Sequence, residues 1–201
     1  VPISLDTEGA QIRNQSMKNG SVLFKKGNKI KIHFESNIGD ENNISFTPVH
    51  IAASLEVDDV IEIDFHSVSI KVTDKNNDHC LAIVESGGMV GSNKAVDVNR
   101  LLPLEPITHK DIEAIKIGRE MGLNHFALSF ANSDEDVEIM RSHVGDDAKI
   151  ISKIESKSGL QNLEKILQKT DTILIDRGDL SRQIPIEKIP FLQRKIIATA
   201  K

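Results

Sequence analysis

Two short apolar runs, each ending in charge, constrain this chain more than anything else in it. They are Lys149-Ile150-Ile151-Ser152-Lys153-Ile154-Glu155 and Thr172-Ile173-Leu174-Ile175-Asp176-Arg177-Gly178-Asp179. A helix-like stretch separates them, so they read as buried strands of successive βα units in a parallel sheet, with charged groups delivered at the carboxyl ends. The same cadence predicts a strand over 125–130, a helix over 134–143, a strand over 149–154, a helix over 158–168, a strand over 172–175 and a last helix over about 187–200. Ahead of them Thr108 is placed to N-cap a helix, with Asp111 at the N3 position of a capping box and Ile112, Ile115, Ile117 and Met121 as its apolar positions.

A different pattern lies upstream. After a predicted strand over 1–6 and a Thr7-Glu8-Gly9 turn, the chain alternates with period two, as in Lys29-Ile30-Lys31-Ile32-His33-Phe34 and Val60-Ile61-Glu62-Ile63-Asp64-Phe65. Val68-Ser69-Ile70-Lys71-Val72 and Leu81-Ala82-Ile83-Val84 repeat the pattern across a polar turn. These are expected to be antiparallel, half-buried strands, with Gly87-Gly88 and Gly91 as a hinge where the segment ends. The economical organisation is a small all-β domain, 10–98, inserted after the first strand of an α/β domain built from 1–9 and 99–201. The fold expected is therefore α/β: a partial (β/α)8 (TIM-type) barrel whose inserted β-domain overhangs the carboxyl ends of the strands as a lid. Four parallel strands do not close such a barrel. The chain also begins at Val1 without an initiator Met and stops at Lys201, so it reads as a piece of a longer protein.

Composition narrows the partners. A net charge of −5 and a pI near 5.8 argue against nucleic acid or an anionic membrane surface, because binding by counterion release needs a basic face. With no Trp and no Tyr the core must come from Ile, Leu and Val. No apolar run has membrane-spanning length, and Cys80, the single cysteine, forms no intrachain disulfide, so a cytoplasmic location is expected. The seven histidines show no zinc-ligand spacing.

The strand ends carry the candidate chemistry. Glu155 and Asp179 fall just past successive strands and would approach each other at the mouth of a parallel barrel, where two carboxylates suit Mg²⁺ or Mn²⁺. Any single carboxylate there reads first as a solvated strand end. Lys153 tips the balance, since it lies two residues before Glu155, on the same face of the strand, where an ammonium can neutralise a transferring phosphoryl group. Gly178-Asp179 opens a short helical turn whose backbone amides can hold a carboxylate or phosphate. Arg177-Gly178-Asp179 also spells an adhesion tripeptide, a reading disfavoured by the absence of secretory features.

These residues resemble the pyruvate kinase family. The strongest matches are Ile150-Ile151-Ser152-Lys153-Ile154-Glu155, Arg177-Gly178-Asp179-Leu180 and Ile184-Pro185-Ile186-Glu187-Lys188. Leu5-Asp6-Thr7, Gly9, Ile12-Arg13, Gly87-Gly88, Gly91-Ser92, Lys94 and Ser129-Phe130 support them. The resemblance covers nearly the whole chain but well under half of a typical family member. It implies phosphoryl transfer from phosphoenolpyruvate to ADP, giving pyruvate and ATP in glycolysis, by a full-length protein expected to be a homo-oligomer. Lys153 would stabilise the phosphoryl group in flight, and Glu155 and Asp179 would ligate Mg²⁺ or Mn²⁺. The Gly178 and Asp179 amides would hold the substrate carboxylate, Asp6 and Thr7 would belong to a monovalent-cation (K⁺) site, and Arg13 and Lys94 would lie near nucleotide phosphates.

The departures are equally specific. Glu8-Gly9-Ala10-Gln11 replaces the family's usual Lys-Gly-Pro-Glu, and Asp64-Phe65-His66 replaces an Asp-Asp-Gly. Asp176 stands where the family has Ala, and Ser181 follows the Arg-Gly-Asp-Leu run. An added carboxylate at 176 would oppose an anionic substrate unless it points outward. Two alternatives remain: a metal-dependent lyase or aldolase acting on a pyruvate enolate, and a non-catalytic module of the same ancestry.

Overall fold

The computed structural model describes residues 3–201; of the predicted first strand, Val1 and Pro2 lie outside the described residues. The chain divides into two compact units, one formed by Val1–Ala10 with Glu105–Lys201 and the other by Gln11–Leu104.

In chain order the strands are β1 (Leu5–Asp6), β2 (Ile12–Asn14), β3 (Ser21–Phe24), β4 (Lys29–His33), β5 (Asn43–Thr47), β6 (Val60–Ile63), β7 (Val68–Lys75), β8 (His79–Ser86), β9 (Gly88–Gly91) and β10 (Ala95–Val98). Then follow α1 (His109–Glu120), β11 (His125–Leu128), α2 (Asp134–Val144), β12 (Lys149–Ile154), α3 (Lys157–Gln161), α4 (Leu163–Leu167), β13 (Thr172–Ile175), α5 (Arg177–Gln183) and α6 (Ile189–Thr199).

The second unit is a closed barrel of seven strands in the order β10-β2-β5-β4-β8-β7-β6. Alternate residues of its strands, such as Ile30 and Ile32 on β4 and Ile61 and Ile63 on β6, fill one core with Phe24, Phe46, Ile70 and Val84. Two expectations are corrected here. The strands are not all antiparallel, because β4 and β5 pair in parallel. Residues 34–42 between them are too long for a tight hairpin and return the chain to the end from which β4 started. Nor do the glycines form a hinge: Gly88–Gly91 is a strand paired antiparallel to β3. A Cβ on Gly88 would lie 2.2 Å from the Ser67 carbonyl oxygen, so that glycine permits close backbone packing.

In the first unit β1, β11, β12 and β13 are neighbours in sequence order and all parallel. On β12, Ile150 and Ile154 join the core with Phe126, Leu128, Val137 and Met140, which leaves Lys153 on the other face. The capping box at the start of α1 is present, with Thr108 and Asp111 bonded reciprocally. The buried face of α1, however, runs through Asp111, Ile115 and Gly118, while Ile112, Ile117 and Met121 are exposed. Gly118 lets the helix approach Leu5 and Phe126 closely, and a pattern of apolar side chains does not register a buried glycine.

The helix expected over 158–168 is two helices, α3 and α4, divided at Asn162. The Asn162 side chain donates to the Asn132 carbonyl instead of serving a continuous helix. The last helix starts at Ile189, with Pro190 in its first turn and a 3₁₀ turn, Ile186–Lys188, before it. Among the described residues no helix is long and apolar enough to cross a membrane.

Candidate active site at the ends of the parallel strands

Each parallel strand of the first unit contributes to one cluster at its carboxyl end. β12 delivers Lys153, whose Nζ lies 3.1 Å from Glu155 Oε1, 3.1 Å from Asp6 Oδ2 at the end of β1, and 3.1 Å from Ser129 Oγ just past β11. Ser129 Oγ in turn donates to Asp6 Oδ1 at 3.1 Å, and its amide donates to Thr7 Oγ1 at 3.1 Å. The residues after β1 are fixed by α1: Asp111 accepts from the Glu8 amide at 2.7 Å and the Gly9 amide at 3.3 Å. Gly9 has a φ of 71°, and a Cβ there would lie 2.5 Å from the Ser129 carbonyl oxygen. Only glycine fits that approach, and it brings Asp6 and Thr7 against Ser129.

Glu155 is 1% exposed. Its Oε2 accepts the Phe130 amide at 2.6 Å, while its Oε1 accepts no hydrogen bond and has only the Lys153 ion pair. Burial pushes the Glu155 carboxyl up from its ordinary value, outweighing the Phe130 amide and Lys153, and the Asp179 carboxylate adds to the rise. Burial also works against charge on Lys153, but there the carboxylates of Glu155 and Asp6 prevail and raise its pKa, so the ammonium is retained. Phe130 holds a φ of 51°, a conformation that bulky residues rarely adopt, and this aims its amide at Glu155.

The turn after β13 completes the cluster. Asp176 caps α5, its Oδ1 accepting from the amides of Gly178 at 3.0 Å and Asp179 at 3.3 Å. The two amides expected to hold a substrate carboxylate thus already hold one from the chain itself. Asp176 points toward the site, not outward, and oxygens of Glu155, Asp176 and Asp179 lie within 4.8 Å of one another. Asp179 Oδ1 also accepts from Arg182 Nη1 at 3.0 Å, and that guanidinium lies 5.9 Å from the centre of the Phe130 ring. The donor set suits a hard divalent cation: carboxylate oxygens only, one of them buried without a hydrogen bond.

Of the residues singled out in the sequence, Asp6, Thr7, Lys153, Glu155, Gly178 and Asp179 belong to this region of the first unit. Sequence reasoning missed the parts played by Ser129, Phe130, Asp176 and Arg182. For Arg182 a signal existed, its position three residues after Asp179 on a helical turn. Arg13 and Lys94 lie in the second unit and are brought together there. Arg13 pairs with Ala95 across β2 and β10, next to Lys94, and its Nη1 donates to the Asn93 carbonyl at 2.9 Å. Lys94 Nζ is 3.4 Å from Asp64 Oδ2, and its amide donates to Asn14 Oδ1 at 2.6 Å.

Known proteins match the chain over nearly its whole length. The family profile described as "Pyruvate kinase, barrel domain" matches residues 1–201. The chain is 33% identical over 204 residues to a pyruvate kinase of Bacillus licheniformis, covering 98% of this chain and 35% of that protein. It is 34% identical over 201 residues to one of Clostridium perfringens, covering 97% of this chain and 42% of that protein. With one of Thermotoga maritima the identity is 32% over 206 residues, covering all of this chain and 44% of that protein. The chain therefore spans less than half the length of these relatives. A match along its full length establishes that the chain belongs to the pyruvate kinase family.

Proposed function

We propose that this chain is the lid and central barrel portion of a cytoplasmic pyruvate-kinase-type phosphotransferase. In this reading the four-stranded parallel sheet is part of a (β/α)8 barrel, and the seven-stranded unit, residues 11–104, is a β-domain inserted after its first strand. The full-length protein transfers a phosphoryl group from the enol oxygen of phosphoenolpyruvate to the terminal phosphate of ADP, and the enolate left behind is protonated to pyruvate. The observation that carries the reading is the convergence of Lys153, Glu155 and Asp179, with Glu155 Oε1 buried and accepting no hydrogen bond.

Lys153 is held on three oxygen partners and keeps its charge, so it presents a preorganised ammonium to the phosphoryl group as charge spreads over its oxygens. Glu155 and Asp179 are the residues that hold Mg²⁺ or Mn²⁺, which when bound neutralises phosphate charge and orients the reactants. The amides of Gly178 and Asp179 take the substrate carboxylate in place of Asp176. Asp6 and Thr7 serve a monovalent cation such as K⁺, with Asp6 shared by Lys153. Arg13 and Lys94 contact nucleotide phosphates.

A second reading, a non-catalytic binding module, draws on one observation: the amide pair is already occupied by Asp176. An assay of the full-length protein with Mg²⁺ separates the two. Phosphotransfer predicts ATP formation from phosphoenolpyruvate and ADP that is lost in Glu155→Gln. No nucleoside triphosphate formed from ADP or any other nucleoside diphosphate would overturn it.

A further inference from the structure

We propose that Asp176 is a third carboxylate ligand of the divalent cation in this chain, alongside Glu155 and Asp179. The inference rests on the reading of the site given above. It goes further in assigning a metal role to a residue that the sequence marked only as a departure.

Three observations carry it. One oxygen from each of Glu155, Asp176 and Asp179 falls within 4.8 Å of the others, close enough for small side-chain adjustments to place all three around one ion. Asp176 is also anchored. In the free chain its Oδ1 is held by the amides of Gly178 and Asp179, which fixes the carboxylate beside Glu155 and Asp179. Lastly, Glu155 Oε1 is buried without a hydrogen bond, so the group contains an oxygen whose desolvation is offset only by the Lys153 ion pair. The near side of the cluster has two fixed cations, Lys153 on Glu155 and Arg182 on Asp179.

A role as helix cap alone would account for Asp176 Oδ1 but predicts no effect on metal affinity. Asn caps a helix about as well as Asp, so Asp176→Asn preserves the cap while removing the charge. The test is Mn²⁺ titration of the 201-residue chain, read as loss of the free-ion electron paramagnetic resonance signal, with thermal melting run beside it. The proposal predicts that Asp176→Asn weakens Mn²⁺ binding by about tenfold or more with its melting temperature unchanged, and that Asp176→Ala weakens it at least as much. If Glu155→Gln abolishes binding while Asp176→Asn binds as the wild type does, the proposal fails and the two-carboxylate site stands. If the wild type binds no Mn²⁺, or Glu155→Gln binds it unchanged, the site reading fails and takes the proposal with it.

Discussion

Phe130 illustrates how single residues set this site. Its left-handed backbone, at a φ of 51°, is unfavourable for an aromatic residue and is kept because its amide satisfies Glu155 Oε2 and its ring lies under Arg182. Nothing in the sequence announces such a conformation, since backbone strain is imposed by the surrounding fold. Asp171 is the clearest titration case. Burial opposes its charge, but the Ile150 amide, Lys149 and Arg141 outweigh burial and hold its carboxyl well below the usual carboxylate range. A carboxyl with a depressed folded-state pKa stabilises the fold above its unfolded value of about 4, and that contribution is lost as pH falls through the depressed value. Urea titrations at pH 7 and in acid should therefore find Asp171→Asn less stable than wild type by about 2 kcal/mol at neutrality, with the gap narrowing below about pH 4. A gap that stayed constant across that range would exclude the charged role.

At the level of elements, charged and small residues hold α1 and β1 together where apolar patterning pointed elsewhere. Asp111 reads in sequence as one half of a capping box, which it is, but it also accepts the amides of Glu8 and Gly9 from the turn after β1. With Asp111 buried and accepting from Thr108 as well, Asp111→Ala leaves several backbone donors without partners. We predict a loss of about 3 kcal/mol by chemical denaturation. Ser133→Ala, which removes the cap of α2, should cost about 1 kcal/mol. Equal losses would mean that Asp111 serves as a cap and nothing more. Strand existence and direction in the first unit were legible from the βα cadence, because buried parallel strands are short apolar runs. The break at Asn162 and the parallel pairing of β4 with β5 were not, since both depend on contacts distant in sequence.

On the scale of the whole molecule the two units differ in how they end their sheets. The barrel of residues 11–104 closes on itself around its own core, so it needs no further strand to satisfy an edge. Expressed alone, it should unfold in one cooperative thermal transition; a gradual, non-cooperative melt would contradict that. In the parallel sheet, β1 and β13 pair on one side only among the described residues. Alternation against cadence made the division into a β part and an α/β part readable in the sequence. Lys153, Glu155 and Asp179 could be named as candidates from their places at and after strand ends, but the inward direction of Asp176 could not, because it depends on a cap. The account rests on Lys153 acting on the phosphoryl group. Its most direct test is the rate of ATP formation from phosphoenolpyruvate and ADP by the full-length protein carrying Lys153→Met, with Mn²⁺ affinity measured in parallel. The account predicts a fall in kcat of about a hundredfold to a thousandfold with Mn²⁺ still bound, whereas an unchanged kcat would contradict it.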